Sequence, residues 1–587
     1  MKDKKKFFLP DKISFLKILI SMKKYLFIFL IVFSSSALAI DVPTVDDYQN
    51  KINKSNEVEK DLIIDKEKQE KDLVSSSEDD GIKVKIKKFI IEGNYSIAEA
   101  ELQDIIKDFL NQELTLTELD ATTEFITNYY IDKGLWARAV LPEQDIQNNE
   151  LKIKIIEAKL GKIIFQKSPD SKPGISEEIA QKYLSQNQIK DQIFNINNLN
   201  ENIQKLDNLA GVNATASLQS GEVEGETDVI VEVTESKLIS GNVKVDNHGS
   251  RSSGVGRSTT LLNFNGLLDI GETFTLQNVH TTGSDYYSLG LTMPIGYSGV
   301  STTIRGSEMD YDLGAPLKSS NPEGNSDSIS MTLDFPSFNL GNLTSSISLG
   351  VSNNTYLNRT SSGISSEKNN FKGNLDFNFN LVDRLLGGGS NSLSFSLVTG
   401  DLDLGDTPSN LASDQTAANT NGSYDKLTFN FSRVQSITNR SSLLFSTNGQ
   451  YGGKNLDSGE QISLGGVSGI KSYPNSEASG SHGIISKLEH RYIFNQRVQS
   501  KIFYDFGKIQ QYKSTYSGWN SSNTSLKNTY ELSGAGVGLD FFLGGLGDLS
   551  LLYAQKFSNN PAEDAFGKDN DGTESSERLW MSLGKNF

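Results

Sequence analysis

Phe371-Lys372-Gly373-Asn374-Leu375-Asp376-Phe377-Asn378-Phe379-Asn380-Leu381 places an apolar side chain at every second position, Gly373 excepted, and a polar one between. A period of two is the mark of a β-strand with one apolar and one polar face. The same alternation runs through Ile329, Met331, Leu333 and Phe335, through Leu393-Phe395-Leu397, and through Leu427-Phe429-Phe431. From about Ser240 to Phe587 such segments recur between clusters of Gly, Ser, Asn and Asp, and helical periodicity is absent. A membrane barrel, with its apolar face toward lipid, has this pattern. So does a soluble sandwich, with its apolar face inward.

The rest of the chain favours the barrel. After residue 40 no run approaches the ~20 apolar residues of a membrane helix, so a membrane-crossing chain of this kind has to close a barrel. Gly is abundant at 51 of 587 residues, and 30 Phe with 20 Tyr supply the aromatic girdles that such barrels carry. Met22-Lys23-Lys24, the apolar run Tyr25 to Phe33 and Ser34-Ser35-Ser36-Ala37-Leu38-Ala39 form a secretory signal peptide over residues 1–39, with Met22 a candidate start and Ile40 the first mature residue. The tract 240–587 has room for about 16 strands of ~10 residues. The chain closes on Leu579, Met581, Leu583 and Phe587, alternating with Trp580, Ser582, Gly584 and Asn586; Phe587 reads as a barrel C-terminal signal.

Composition also excludes. With no cysteine there is no disulfide, no Cys nucleophile and no thiolate metal site. A net charge of −17 argues against nucleic acid as a partner. The four histidines, His248, His280, His482 and His490, come without a metalloprotease or nucleophile-elbow motif, and no phosphate-binding loop is present. No enzyme activity, cofactor or metal is expected.

Upstream of the barrel lie three further segments. Residues 40–81 are acidic: positions 41–81 hold 13 Asp and Glu against 6 Lys, and Val45 to Asp72 lacks Pro and Gly. This composition suits either a polar helix in a wet channel or a spacer. Residues 82–160 have the order βααββ: a half-buried strand Ile82-Val84-Ile86, helices from Ser96 and from near Thr117, and strands Leu135 to Leu141 and Leu151 to Glu157. Residues 161–236 repeat it, with strands Lys162 to Gln166, Asn213 to Gln219 and Thr227 to Thr234 and helices Ser176 to Leu184 and Ile196 to Leu209. Two tandem units of one order argue for duplication.

Several motifs resemble those of the outer-membrane transporters of two-partner secretion, the hemolysin and filamentous-hemagglutinin secretion proteins. The βααββ units resemble POTRA (polypeptide-transport-associated) domains, and Lys133 to Asp145 resembles that family's stretch ending in a Leu-Pro-x-Gln-like turn; Leu141, Pro142, Glu143, Gln144 and Asp145 would belong to substrate recognition. Val245-Asp246-Asn247-His248-Gly249, with Gly254 and Arg257, resembles an Asp-Asn-x-Gly block at the barrel entrance, and Met293-Pro294-Ile295-Gly296 a Pro-x-Gly strand end. Gly465, Gly466, Ile470, Lys471, Ser472 and Tyr473 resemble the tip of the sixth extracellular loop, expected to line the pore. Phe503, Asp505 and Gly507 fit a Phe-x-Asp-x-Gly strand motif that would form a latch on the barrel wall.

The resemblance implies that Lys471 meets Asp505. Lys stands where the family has Arg, so a planar fork becomes a point charge; Ser472 stands where it has Gly or Ala. In a wet lumen such a pair is worth ~1 kcal/mol or less. The fold implied is α+β POTRA domains followed by a transmembrane antiparallel β-barrel of 16 strands. The function implied is export of a large β-helical exoprotein, captured unfolded in the periplasm and passed through the lumen. Outer-membrane lipid and the barrel-assembly machinery would be its other partners. A barrel-assembly protein of the same superfamily, or a passive porin, is the alternative.

Overall fold

The computed structural model describes residues 83–146, 148–167, 171–186, 193–223, 225–314, 321–521 and 523–587. The signal peptide and the acidic segment 40–81 lie outside these.

The first unit packs two helices on a three-stranded sheet. Strands β1 (Val84–Lys85), β2 (Lys88–Glu92), β3 (Glu113–Leu114), β4 (Ala137–Val140) and β5 (Glu150–Glu157) alternate with helices α1 (Glu99–Ile105) and α2 (Leu116–Asp132). β5 is central, parallel to β2 and antiparallel to β4. The leading strand differs from the sequence expectation. Of the alternating stretch, Ile82 lies outside the described residues, and the rest contributes only β1, which pairs with β3 in a separate ribbon. The sheet strand is the following Lys88-Phe89-Ile90-Ile91-Glu92. Phe89 and Ile91 are buried in the core while Ile90, on the other face, is only partly covered, so the apolar run masks a period of two. Helix α2 begins on a reciprocal cap: the Glu118 amide donates to Thr115 Oγ1 at 3.3 Å and the Thr115 amide to Glu118 Oε2 at 2.8 Å.

The second unit repeats the plan with β6 (Lys159–Lys167), α3 (Glu177–Leu184), α4 (Ile196–Asp207), β7 (Val212–Ser220) and β8 (Glu226–Glu235), ordered β6-β8-β7. Val229, Val231 and Val233 of β8 are fully buried against Leu184, Leu199 and Leu206.

The second unit is seated on the barrel by main-chain bonds. The Ser176 amide donates to Asp269 O at 2.8 Å, the Gly271 amide to Gly174 O at 2.8 Å and the Ala210 amide to Gly271 O at 3.3 Å. A Cβ on Gly266 (φ +65°) would fall 2.2 Å from Gly174 Cα, so the two backbones touch only because both residues are glycine. Tyr183 donates to Gly296 O at 3.3 Å in the next turn. Burial pushes its phenol up to about 12, so it stays a neutral donor.

The barrel comprises β9 (Ile239–Asp246), β10 (Arg257–Asn265), β11 (Thr273–Thr281), β12 (Ser284–Ile295), β13 (Val300–Asp312), β14 (Glu323–Asp334), β15 (Phe338–Leu340), β16 (Leu343–Thr360), β17 (Gly363–Asp383), β18 (Gly389–Asp403), β19 (Gly422–Thr438), β20 (Ser441–Gly452), β23 (His482–Asn495), β24 (Val498–Gln510), β25 (Thr529–Phe542), β26 (Asp548–Lys556) and β27 (Glu577–Asn586). Neighbours pair antiparallel, and β27 closes onto β9. β14 and β15 both pair with β16 and are one strand broken at Phe335-Pro336-Ser337, where proline has no N–H to donate. The ring therefore has sixteen strands. The other two named strands, β21 (Ile462–Ser463) and β22 (Ser479–Gly480), form a small ribbon inside the loop after β20.

Which face is apolar decides between barrel and sandwich. Leu289, Ile329 and Phe371 are about three-fifths exposed, while Asn354, Asn370 and Asp505 on the other face are buried. Apolar side chains point out and polar ones in, the orientation that lipid demands.

Candidate functional site

Loop 453–481 joins β20 to β23. It leaves the end of the barrel away from the two units and turns back inside. Its tip rests on a small apolar cluster: Leu464 and Ile470 pack with Ile485, Ile509 and Leu532 of the inner wall, all at most 2% exposed. Main-chain bonds fix the turn, with the Ile470 amide donating to Leu464 O at 2.7 Å and the Gly466 amide to Tyr473 O at 3.2 Å. Gly466 takes φ +103°, open to glycine.

Period-two geometry places Phe503, Asp505 and Gly507 together on the inner face of β24, while Ile502 and Tyr504 face outward. Lys471 Nζ lies 3.0 Å from Asp505 Oδ1 and 3.2 Å from Oδ2, and the Lys471 amide donates to Oδ2 at 3.1 Å. The ammonium also sits 4.1 Å from the centre of the Phe503 ring, a cation–π contact. A Cβ on Gly507 would meet Ile470 Cδ1 at 2.8 Å. Lys487, opposite Asp505 on β23, donates to Ser468 O.

The expectation of a wet, weak pair is corrected here. The side chains of Lys471 and Asp505 are 9% and 1% exposed, because the apolar cluster and Phe503 wall the pair off from the lumen. A solvent-screened estimate does not apply; removing one partner of a buried pair strands a charge at a cost of about 3–5 kcal/mol. Ile470, Ser472 and Tyr473 are likewise buried, and face the wall rather than open lumen. Ser472 fits because its opposite residue is Gly534: a Cβ there would stand 2.0 Å from Ser472 Oγ.

Five further hydrogen bonds complete the seat, none of them named from the sequence. Trp580 Nε1 donates to Lys471 O at 2.7 Å. Tyr473 donates to Ser558 O at 2.7 Å. Asn560 Nδ2 donates to Glu477 Oε1 at 3.0 Å, and the Asn570 amide to Oε2 at 2.9 Å. Asn475 Nδ2 donates to His248 O at 2.6 Å. A tryptophan on the polar face of the last strand was the one visible signal.

The Asp-Asn-x-Gly block lies at the loop-bearing end of β9, away from the two units, and not at an entrance next to them. There Asp246 receives a two-pronged bond from Arg257, 3.0 Å on each oxygen. The ladder between β9 and β27 covers only Asn242 to Asp246. Asn247 prolongs it with its side chain, donating to Leu579 O at 2.8 Å and accepting from the Met581 amide at 2.8 Å. At the other end, Phe587 and Gly241 exchange main-chain bonds at 3.1 Å. The Pro-x-Gly stretch ends β12, with Ile295 its last residue.

Gln144 uses the same device in the first unit. β4 ends at Val140, and Pro142 has no N–H with which to continue the ladder. The Gln144 amide replaces it on β5, accepting from the Lys152 amide at 2.8 Å and donating to Lys152 O at 2.8 Å. Leu141 packs on the unit's core; Glu143 and Asp145 are not drawn into these bonds.

The histidines are dispersed. His248 stands edge-on to Trp580 at 5.6 Å, His280 bonds Asp285 at 2.6 Å and His490 bonds Ser441 at 2.7 Å. His482 accepts from the Gly452 amide at 3.0 Å. Among the described residues no three His, Asp or Glu side chains converge as metal ligands would.

Comparison with known proteins agrees with this geometry. Residues 225–541 match the family model described as haemolysin secretion/activation protein ShlB/FhaC/HecB, more than half of the chain. The chain belongs to that family. Residues 84–158 match the ShlB-type POTRA domain. The heme/hemopexin transporter protein HuxB of Haemophilus influenzae is 24% identical over 512 residues, 84% of this chain and 85% of that protein. Outer membrane transporter CdiB of Escherichia coli is 23% identical over 232 residues, 38% of each chain. Among solved structures, CdiB from Escherichia coli superposes with a TM-score of 0.64 at 17% identity, covering 94% of this chain and all of the other. BamA from Haemophilus ducreyi lacking its first three POTRA domains does so at 0.52 and 17%, covering 86% and 100%, a likeness of fold. The protein is therefore a two-partner secretion transporter: an outer-membrane barrel with periplasmic POTRA domains, in a family of transporters.

Proposed function

We propose that this transporter binds an unfolded exoprotein in the periplasm through its POTRA units and passes it through the lumen to fold and become active outside. The observation that carries this reading is loop 453–481, folded into the lumen and clamped by Lys471 on Asp505. A passive porin has no use for such a clamp beside two protein-binding units. Recognition would use strand addition to a free sheet edge or a groove between helix and strand. β4 offers such an edge, since β5 covers only one of its sides and Leu141 to Asp145 lie at its end. Folding outside would prevent back-sliding, and no nucleotide is needed.

The acidic segment 40–81 is proposed either to plug the pore or to act as a spacer. Deleting 45–72 raises ion conductance in planar bilayers under the first and leaves it unchanged under the second. The decisive experiment for the whole reading is deletion of 82–236 with the barrel kept. Loss of exoprotein from the medium is expected, and continued export would refute the receptor role. A barrel-assembly role, suggested by the shared BamA fold, would instead show as lost assembly of unrelated outer-membrane barrels.

A further inference from the structure

The arm of the loop that descends from β20, residues 453–461, has an attachment of its own. Glu460 ends the single helical turn Ser458–Glu460 and is 3% exposed. Its carboxylate lies 2.8 Å from Lys372 Nζ and 2.7 Å from Lys426 Nζ, and accepts from Asn370 Nδ2 at 2.8 Å. Its carbonyl oxygen accepts from Gln450 Nε2 at 2.8 Å and from Lys426 Nζ at 3.0 Å. Three residues earlier, Asp457 pairs with Lys368 at 2.7 Å. Lys368, Asn370 and Lys372 occupy every second position on the inner face of β17, so one strand presents a short polar ladder to the arm.

Position in the ring gives this cluster its meaning. Counting from β9, β17 is the eighth strand and β19 the tenth, while β24, which holds Asp505, is the thirteenth and β27, which holds Trp580, the sixteenth. In a ring of sixteen the eighth and sixteenth strands stand diametrically opposite. The loop's attachments therefore span half of the ring, from the eighth strand to the sixteenth, with Leu464 and Ile470 lying against the twelfth to fourteenth between them. A buried carboxylate with two ammonium partners contributes little net stability compared with apolar packing, because desolvation offsets the attraction. What such a cluster supplies is a single position, since Lys372, Lys426 and Asn370 have to meet one carboxylate.

We infer that Glu460 is a second positioning residue of the loop, holding its descending arm to β17 and β19 independently of the Lys471–Asp505 clamp. The inference rests on reading the loop as the transport element, but its test needs no exoprotein. The chain has no cysteine, so a pair of introduced thiols can be labelled uniquely. Spin labels at Ser458→Cys and Ser362→Cys report the descending arm against the end of β17; labels at Ser468→Cys and Ser362→Cys report the tip.

In the otherwise unaltered transporter both pairs give one narrow distance. Glu460→Gln is expected to abolish the narrow peak for Ser458, and the exchange Glu460→Lys with Lys426→Glu to restore it. Lys471→Ala should broaden the Ser468 distance and leave the Ser458 distance narrow. A narrow Ser458 peak surviving Glu460→Gln overturns the inference, as does loss of both peaks together in Lys471→Ala. If Glu460→Gln fails to assemble, Lys372→Gln, at the more exposed ammonium, serves in its place under the same criteria. A broadened Ser458 distance in Glu460→Gln with secretion unchanged would fault the transport reading and leave the anchor standing.

Discussion

The indole N–H of Trp580 donates to the carbonyl oxygen of Lys471, 109 residues away, at 2.7 Å. The last strand thus grips the main chain of the residue whose side chain is held by Asp505. Trp580→Phe keeps most of the ring and removes the donor. A buried hydrogen bond of this kind is worth about 1 kcal/mol, with a further penalty for the orphaned carbonyl. Faster proteolysis at residues 466–469 in Trp580→Phe, with unchanged heat-modifiable mobility of the barrel, is the expected result; equal rates would show that the indole only fills space.

Asp505 has more to lose. Asp505→Ala leaves buried Lys471 without its carboxylate, beside the second ammonium Lys487, and removes the acceptor of its amide, so the loop should leave its seat while the strand ladders persist. Secretion is expected to fall at least tenfold, the factor that 1.4 kcal/mol represents and well under the ~3–5 kcal/mol of a broken buried pair. Exoprotein in the medium, measured against barrel content of the outer membrane, checks it. Asp505→Asn, which still accepts from the Lys471 amide, should fall between.

Close approach makes Gly534 a second sensitive point. Gly534→Ala would place a methyl 2.0 Å from Ser472 Oγ and 2.7 Å from its Cβ. Secretion should drop as for Asp505→Ala, and adding Ser472→Gly should recover part of it. The recovery is incomplete because the new methyl also meets Gln555 O at 2.9 Å. No recovery in the double variant would mean that the damage lies in strand pairing.

Gln144 offers a separate prediction in the first unit. Gln144→Leu removes both bonds to the Lys152 main chain, worth about 1 kcal/mol at this partly exposed edge. Amide exchange at Lys152 should accelerate roughly fivefold, as that energy implies, while exchange at Ile153 and Ile155 stays slow. Acceleration across all of β5 would show that the side chain holds the whole sheet.

How far the site was legible follows from where its partners lie. Phe503, Asp505 and Gly507 sit on one face by strand period alone, and Lys471 entered through a local motif. Glu460 was invisible because Lys372 and Lys426 are far from it in sequence, and Lys372 read simply as a polar lumen residue. The edge strand β2 of the first unit was missed since Phe89-Ile90-Ile91 is apolar on both faces, though only Phe89 and Ile91 are buried, and so shows no alternation of residue type. The weight of the Lys471 pair was misjudged because exposure depends on which loop returns to cover it, which strand periodicity cannot report.

The glycine contact between Gly174 and Gly266 bears on how this transporter can be rebuilt. With the second POTRA unit bonded to the turn 266–271, that unit has one bearing relative to the pore, and whatever it holds is offered at one angle. A cassette exchange between relatives that cuts at residue 236 severs the linker but leaves half of the coupling behind in the barrel. Transplanting the turn with the unit keeps the bearing, so the natural unit of exchange includes a piece of the barrel floor.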